Sequence, residues 1–340
     1  MHAGKKFTIR QVLFWTRREI LVFVLIASVP TVLYQIFGFH WLVIPWLPVA
    51  LIGTAVAFLI GFKNNASYGR LWEARKIWGA IVNASRTWAM MVKDFVNSDF
   101  ADRPVDDGEL KASHKRLVHR HIAWLTALRF QLRQPKPWES MDKRHAKEYR
   151  NFYSIPELET KLEDEMRPYL SKDDLAHVLG KTNRATQLLG LQSSDIRELR
   201  KKKLIDAFPY LELENLLEEF FTHQGKAERI KSFPYPRQFA TFNVYFVWIF
   251  IALVPLGMMQ EIQAKLGEPF VWLTIPLTVL VVWVFHTMEK IGEATENPFE
   301  GGANDIPMAN MSRTIEIDMR EMLNELEIPE PTTAVNDILM

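Results

Sequence analysis

Long runs without a charged side chain limit what this chain can fold into. Residues 20 to 62 contain no Asp, Glu, Lys or Arg, and neither do residues 239 to 259 or 269 to 288. A hydrocarbon core of roughly 30 Å needs about 20 helical residues, so the first run is long enough for two spans, with a break between Gly38 and Pro45. We therefore predict an all-α membrane protein with four transmembrane helices, at about 20–38, 45–62, 239–259 and 269–288.

The rest of the composition excludes several classes of function. The chain has 41 Lys and Arg against 40 Asp and Glu, and a net charge near zero gives no reason to expect nucleic acid as a partner. It has no cysteine, which excludes disulfides, thiolate zinc sites and cysteine nucleophiles. No metal-spacing motif, nucleophile elbow or phosphate loop is present, so we predict no catalytic residue, no cofactor and no enzyme activity.

Basic residues flank the predicted spans on one side only. Lys5, Lys6, Arg10, Arg17 and Arg18 precede the first span, and Lys63, Arg70, Arg75 and Lys76 follow the second, whereas the two opposite loops contain only Lys265. Loops rich in Lys and Arg stay on the cytoplasmic side, so we predict a multi-pass protein of the cell (plasma or inner) membrane with both termini in the cytosol. The predicted segments are a cytosolic N-terminus (1–19), two pairs of spans (20–62 and 238–288), a helical cytosolic domain (63–237) and a cytosolic C-terminus (289–340).

Apolar residues recur every three or four positions through the central region, which is typical of helices. The pattern predicts helices at about 115–133, 157–170, 172–191 and 210–231, and a short polar loop at 260–268 between the last two spans. His119 and His121 lie two positions apart, so on a helix they point in different directions. We expect packed histidines there and not a metal site.

The second span has two distinct faces. Its apolar residues recur at steps of four, four, three and four, and they are Leu47, Leu51, Ala55, Phe58 and Phe62. A neighbouring face carries small residues, which let membrane helices approach closely; these are Ala50, Gly53, Thr54, Ala57 and Gly61. The apolar stripe is compatible with a position facing lipid, another helix or the axis of a symmetric ring. The polar stretch FKNNASYGRLWEARKIWG (62–79) follows without a proline, so the same helix can continue and line a wet vestibule.

The stretch at 62–79 resembles the bestrophin signature, in which bacterial members read approximately F-R-x-N-x-x-Y-x-R-W-W-E-A-R-x-x-W-G. Three other segments are similar to the family in order and spacing, and they are HRHIAWLTALRFQLR, ERIKSFPYPRQF and ENPFEGGANDIPM. Bestrophins are pentameric ion channels, so the resemblance implies a homopentamer around a central pore. The implied partners of each chain are other copies of the same chain, membrane lipid and permeant monovalent ions.

The resemblance also implies where the pore is narrow. The family's three neck positions fall at Leu47, Leu51 and Ala55, and because Ala55 is small we count the whole stripe to Phe62 as pore-lining. Narrow apolar segments tend to dewet, which makes this neck a hydrophobic gate. A second, cytosolic constriction is expected from the region after residue 203, with Ile205, Tyr210 and Leu211 as candidates.

Charges that face the path decide ion selectivity. Lys63, Arg70 and Arg75 in the vestibule would favour anions, whereas Glu73, Glu212 and Glu214 would favour cations. We therefore predict a channel for small monovalent ions, which by the family label would be chloride or other anions, and the residues leave cation conduction open.

Animal bestrophins bind Ca²⁺ after the Asn-Pro-Phe motif that this chain has at 297–299. The corresponding region here contains Asn297, Glu300, Asn304 and Asp305. Calcium prefers six to eight oxygens with several carboxylates, so two carboxylates predict a structural turn in preference to a calcium site.

Two other classes of function stay open at this point. One is a membrane-anchored scaffold or enzyme whose activity lies in the cytosolic helices. The other is a secondary transporter, which would need inverted repeats or broken spans, and the two halves of the chain show no matching pattern.

Overall fold

The computed structural model describes the backbone of all 340 residues and every side chain except that of His145. Twelve α-helices account for the fold, and the described residues form no strand beyond two isolated bridges near the chain ends. The helices are α1 (Ile9–Gln35), α2 (Trp46–Phe95), α3 (Asp107–Arg133), α4 (Arg144–Arg150), α5 (Pro156–Glu159), α6 (Leu162–Met166), α7 (Lys172–Leu179), α8 (Arg184–Lys201), α9 (Ala207–Ser232), α10 (Arg237–Leu266), α11 (Thr274–Ala294) and α12 (Met308–Met322).

The chain divides into two compact units. We call residues Gly4–Arg70 and Pro234–Asn297 the apolar unit, and residues Met1–Ala3, Leu71–Phe233 and Pro298–Met340 the polar unit. Residues 63 to 70 and 289 to 297 belong to the apolar unit, although we predicted the spans to end at 62 and 288. The charged ends of the predicted spans therefore fold together with their apolar parts.

The apolar unit contains α1, α10, α11 and the first half of α2. In its core, Phe23 of α1, Val56 of α2 and Phe250 of α10 are almost completely buried. Among the described residues, three helical segments are long and apolar enough to cross a membrane by length and composition, namely His40–Phe95, Arg237–Leu266 and Glu268–Ala294. They contain the second, third and fourth predicted spans.

The predicted first span lies in α1 and is shorter than expected. We predicted residues 20 to 38, but α1 ends at Gln35, and Gly38 follows with a positive φ of 71°. The uncharged helical part therefore runs from Ile20 to Gln35, which is about 24 Å at 1.5 Å per residue. A span through the whole hydrocarbon core would be longer, so the count of four spans stays a prediction.

Two glycines allow α2 and α10 to touch closely. A Cβ atom on Gly53 of α2 would lie 2.7 Å from the ring of Phe250 on α10. A Cβ atom on Gly257 of α10 would lie 3.0 Å from both Trp46 and Val49 of α2. Each helix thus inserts bulky side chains against a glycine of the other.

The predicted polar loop at 260–268 is mostly helical. Helix α10 continues to Leu266, and Lys265 forms an ion pair with Glu261 one turn earlier, at 2.7 Å. The helix ends at Gly267, whose φ of 95° suits glycine. The prediction was wrong here because it took polar composition as a loop signal, whereas residues 260–266 contain neither proline nor glycine.

The polar unit is built around α3, which packs against α8, α9 and α12. Trp78, Trp124 and Phe220 are among the largest fully buried side chains of its core. The predicted helix at 157–170 consists of two short helices, α5 and α6. The predicted helix at 172–191 is likewise divided between α7 and α8, because the chain turns at Gly180 and the Asn183 side chain caps α8 by accepting from Thr186 N at 3.0 Å.

Candidate pore helix and charged flanks

Helix α2 is one continuous helix of 50 residues. No proline occurs between Pro48 and Pro104, and a proline inside the helix would interrupt its hydrogen bonds. The stretch 62–79 lies entirely inside this helix, so the apolar run and the polar sequence that follows form a single element.

The five predicted neck residues lie on one exposed face of α2. Leu47, Leu51, Phe58 and Phe62 are 64–69% exposed, and Ala55 is also exposed. Val49, Val56 and Ile60 on other faces are at most 4% exposed and pack in the core. From residue 47 to residue 62 the exposed stripe is about 22 Å long at the helical rise. The chain therefore presents a continuous apolar surface that it does not cover itself.

Beside this stripe lies an open apolar groove of about 860 Å³. Its floor is formed by the small residues of α2 that the sequence singled out, including Gly53, Ala57 and Gly61, and its walls include Phe250 and Phe285. Small residues leave room for the backbone of another helix. The groove thus has the shape and the chemistry of a helix-packing surface.

Lys63 was predicted as a vestibule charge, and the structure corrects this. Its ammonium group forms an ion pair with Glu289 at 2.6 Å, and the two side chains are only 3% and 6% exposed. The next residue, Asn64, donates a hydrogen bond from Nδ2 to the carbonyl of Met288 at 3.0 Å. Lys63 is therefore enclosed against the C-terminal part of α11 and does not face water.

Similar ion pairs hold the other helices of the apolar unit. Lys290 bonds to Glu19 of α1 at 2.6 Å and also donates to the carbonyl of Trp15 at 2.9 Å. Arg237, at the start of α10, forms an ion pair with Glu296. Together with the Lys63–Glu289 pair, these contacts connect α1, α2 and α10 to residues 289–296.

Arg70 and Glu73 are also engaged inside their own units. Arg70 Nε donates to the carbonyl of Glu296 at 2.8 Å, within the apolar unit. In the polar unit, Glu73 forms an ion pair with Arg229 of α9 at 2.5 Å. These contacts reduce the charge that either residue presents to solvent.

Arg75 differs from the other three predicted vestibule charges. It is exposed, its guanidinium group lies 5.8 Å from the ring centroid of Trp72, and no acidic group of the described side chains lies within ion-pair distance. The neighbouring Lys76 is exposed as well and is equally without an acidic partner among those side chains. The exposed part of α2 in the polar unit therefore carries uncompensated positive charge.

The three candidates for a cytosolic constriction differ in exposure. Ile205 is 3% exposed and belongs to the core of the polar unit, so it offers almost no surface for an ion path in this conformation. Tyr210 is half-buried under the guanidinium of Arg200, 4.6 Å from its ring centroid. Leu211 is 55% exposed and is the candidate of the three with free surface.

The segment after the Asn-Pro-Phe motif forms a hydrogen-bonded turn. Both oxygens of Glu300 accept from Ser140, one from its backbone N–H and one from its hydroxyl, each at 2.8 Å. Asp305 Oδ2 accepts from the backbone N–H groups of Gly301 at 2.7 Å and Gly302 at 2.9 Å. Gly301 has a φ of 105°, a conformation that favours glycine. These contacts hold the segment in a fixed turn conformation.

This turn does not fit a calcium site. Glu300 and Asp305 are 5% and 1% exposed, and burial raises the pKa of both carboxyl groups, that of Glu300 to about 8. Three of their four oxygens already accept protein hydrogen bonds, while calcium needs six to eight oxygen ligands. Asn297 is buried and Asn304 is half-buried, and the described residues contain no group of three or more His, Asp or Glu side chains suited to a metal ion.

The two histidines of α3 have separate environments. His121 is fully buried beside Trp124 and Phe220, its Nε2 lies 2.9 Å from the Ser85 hydroxyl, and burial lowers its pKa to about 3. His119 Nε2 instead lies 2.6 Å from Glu325 Oε1. The two side chains therefore do not converge on a common ligand.

Sequence reasoning missed the partners of Lys63 and Glu19. Glu289 and Lys290 directly follow the last uncharged run and lie 226 and 271 residues from their partners. The only sequence signal for these ion pairs is that acidic and basic residues stand directly beside the ends of several uncharged runs.

Comparisons with family models, curated proteins and solved structures all find proteins similar to this chain. The sequence model of the family of bacterial and fungal bestrophin proteins matches residues 7–321. The voltage-dependent anion channel-forming protein YneE of Escherichia coli K12 is 25% identical over 282 residues, which cover 83% of this chain and 78% of that protein. The voltage-dependent anion channel-forming protein RSc3414 of Ralstonia nicotianae is 28% identical over 299 residues, covering 87% and 84%. A crystal structure of a bacterial bestrophin homolog from Klebsiella pneumoniae has a TM-score of 0.74 at 23% identity, over 93% of this chain and 100% of that one, and so shares the fold.

Proposed function

Because this chain belongs to the family of bacterial and fungal bestrophin proteins, we propose that it forms a homopentameric channel for small monovalent anions such as chloride. The pore neck in this proposal consists of five copies of α2. Its narrow surface is the apolar stripe of Leu47, Leu51, Ala55, Phe58 and Phe62.

The observation that carries the proposal is the exposure of this stripe. Bulky apolar side chains such as Leu47 and Phe62 are 69% exposed, whereas Val49, Val56 and Ile60 on another face of the helix are buried. On the axis of a ring, such side chains would create a narrow, dry segment that an ion crosses only by losing part of its hydration shell. The stripe would then act as a hydrophobic gate.

The groove beside the stripe supports a ring of identical chains. It exposes Ala57 and Gly61 directly next to the neck residues, so an adjacent copy of α2 can pack into it while its own stripe faces the axis. A closed ring uses one such contact repeatedly and leaves no copy of the groove empty. Five copies follow from the family resemblance and not from the single chain.

Anion selectivity is supported by the charges of α2 in the polar unit. Arg75 and Lys76 are exposed without an acidic partner among the described side chains, whereas Glu73 is paired with Arg229. The curated relatives are named as anion channel-forming proteins. Positive side chains along an ion path lower the electrostatic barrier for anions, so we place Arg75 and Lys76 on the vestibule wall. Leu211 is our candidate for the cytosolic constriction.

The proposed topology has four spans and both termini in the cytosol. Basic residues before α1, after the apolar part of α2 and before α10 lie on one side of this arrangement. In the proposal α1 completes the set of spans, with its charged residue Glu19 paired to Lys290.

The gate is tested by comparing two leucines of equal exposure. Leu51 on α2 and Leu25 on α1 are 64% and 63% exposed, but only Leu51 belongs to the proposed neck. In planar bilayers with purified protein, we expect Leu51→Ala to increase conductance or open probability, because it widens the apolar constriction. Leu25→Ala should leave both unchanged.

The same purified protein allows tests of the ion selectivity and of the number of subunits. Under a salt gradient the reversal potential should shift toward that of the anion, and the purified particle should have a mass of about five times 39.6 kDa plus detergent. Equal effects of Leu51→Ala and Leu25→Ala would contradict the gate, a cation-directed shift would contradict the selectivity, and a monodisperse dimer would contradict the ring.

A further inference from the structure

A cavity of about 460 Å³ lies within the polar unit, away from all neck residues. It is bounded by the C-terminal end of α3, the following loop at 134–136, the first residues of α8 and the last turn of α9. A volume in this range accommodates a small molecule. None of its lining residues is a site residue predicted from the sequence.

The walls of the cavity carry an excess of positive charge. The basic side chains that line it are Arg133, Lys136, Arg184 and Lys231, whereas the acidic ones are Glu157 and Glu228. Four cations against two carboxylates leave the lining positive. The start of α8 adds to this, since the first N–H groups of a helix carry partial positive charge.

The two carboxylates are already occupied by other groups. Glu157 accepts from Arg129 at 2.7 Å and from Arg133 Nε at 3.2 Å. Glu228 accepts from three amide groups, those of Gln131 at 2.7 Å, Gln224 at 2.8 Å and Asn183 at 3.1 Å. Neither carboxylate therefore neutralises Lys136 or Arg184. Lys231 has a partner of its own, because it forms an ion pair with Glu139.

Several donors in the cavity wall have no acceptor. The side chain of Arg133 is 1% exposed, yet its Nη2 is buried without a hydrogen-bond partner. Arg184 Nε is buried without a partner as well. Neither Lys136 nor Arg184 has an acidic group within ion-pair distance among the described side chains. Both of these side chains are half-buried, so they present unpaired positive charge at the cavity.

We propose that this cavity binds a small molecule through an oxyanion group, a phosphate or a carboxylate, held by Arg133, Arg184 and Lys136. Guanidinium groups match the geometry of both oxyanions, and Lys adds a mobile positive charge. The ligand would contact the end of α3, the start of α8 and the 134–136 loop together. The site is thus a place where a cytosolic metabolite could act on the proposed channel without entering the neck.

The proposal is tested by ligand binding to the purified full-length protein in detergent. The probes are sodium phosphate, sodium succinate and sodium chloride, measured by calorimetry and by the shift of the unfolding temperature. We expect phosphate or succinate to bind, and to raise the unfolding temperature, at concentrations where chloride has no effect. The probe that binds more tightly identifies the class of oxyanion.

Two variants and one control connect the binding to the cavity. Lys136→Gln and Arg184→Gln each remove one charged donor without breaking an ion pair, and each should weaken binding about tenfold or more, since a hydrogen bond to a charged group contributes about 1.5–3 kcal/mol. Lys226→Gln removes an exposed lysine from α9 outside the cavity and should leave binding unchanged. The proposal is overturned if both cavity variants bind like the unmodified chain, or if chloride binds as tightly as phosphate and succinate.

Discussion

Loss of one partner from the buried ion pair between Lys63 and Glu289 should strongly destabilise the apolar unit. Their side chains are 3% and 6% exposed, so water screens neither charge. Removal of one partner leaves the other charge buried and unpaired, which typically costs about 3–5 kcal/mol. We therefore expect Lys63→Met to destabilise the protein by this amount. The double variant Lys63→Met/Glu289→Leu, which removes both charges, should recover most of the loss.

The chain offers a matched control for this change. Lys265 and Glu261 form an ion pair at 2.7 Å, close to the 2.6 Å of the buried pair, but their side chains are 75% and 36% exposed. An exposed pair one helical turn apart contributes only about 0.3–0.5 kcal/mol. Lys265→Met should therefore change stability very little. The measurement is thermal or denaturant unfolding of the purified protein in detergent, followed by tryptophan fluorescence.

Two outcomes would refute this reasoning. One is a Lys63→Met variant that is no less stable than Lys265→Met, which would mean that the buried charge of Glu289 finds another partner or reaches water. The other is a double variant that is no more stable than Lys63→Met alone. In that case the loss would come from packing of the side chains and not from an uncompensated charge.

Two further predictions concern the turn after the Asn-Pro-Phe motif. Burial raises the pKa of Glu300 from its ordinary value of 4.5 to about 8, so the folded protein binds this proton more tightly than the unfolded chain, and stability should fall as pH rises through that window. Glu300→Gln should flatten this fall in the unfolding temperature, and an unchanged pH profile would contradict the assignment. Gly301→Ala should cost about 1–3 kcal/mol, because its φ is 105° and the new Cβ would lie 2.9 Å from Ile155 Cδ1. Gly190→Ala, in an exposed helical position with open space around it, should instead stabilise the protein by about 0.4–1 kcal/mol; equal effects of the two substitutions in calorimetry would contradict this contrast.

The sequence was most informative where one helix carried the whole pattern. The stripe from Leu47 to Phe62 follows from the helical period alone, and the structure places all five of its residues on an exposed face. The continuation of α2 through residues 62–79 was equally accessible, because the absence of proline is a local property of the chain. The function of the stripe as a neck stays a prediction, since a single chain does not contain the neighbours that would surround it.

The sequence was least informative where a residue's environment depends on a distant partner. Lys63 stands among other polar residues after an apolar run, and only the position of Glu289 reveals that it is buried. Ile205 similarly reads as part of an amphipathic segment, whereas the folded polar unit encloses it. Charge and hydrophobicity indicate which residues can face a pore, but burial by the rest of the chain decides which of them have any surface left.

The close contact between α2 and α10 has a consequence for how a channel of this kind could open. Gly53 receives Phe250 and Gly257 receives Trp46 and Val49, so the two helices are engaged in both directions and at two levels. Sliding or rotating α2 alone would drive an aromatic ring into a backbone. Widening of the proposed neck at Leu51 or Phe58 would therefore require α2 and α10 to move as one body, or these side chains to change rotamer while both helices stay in place.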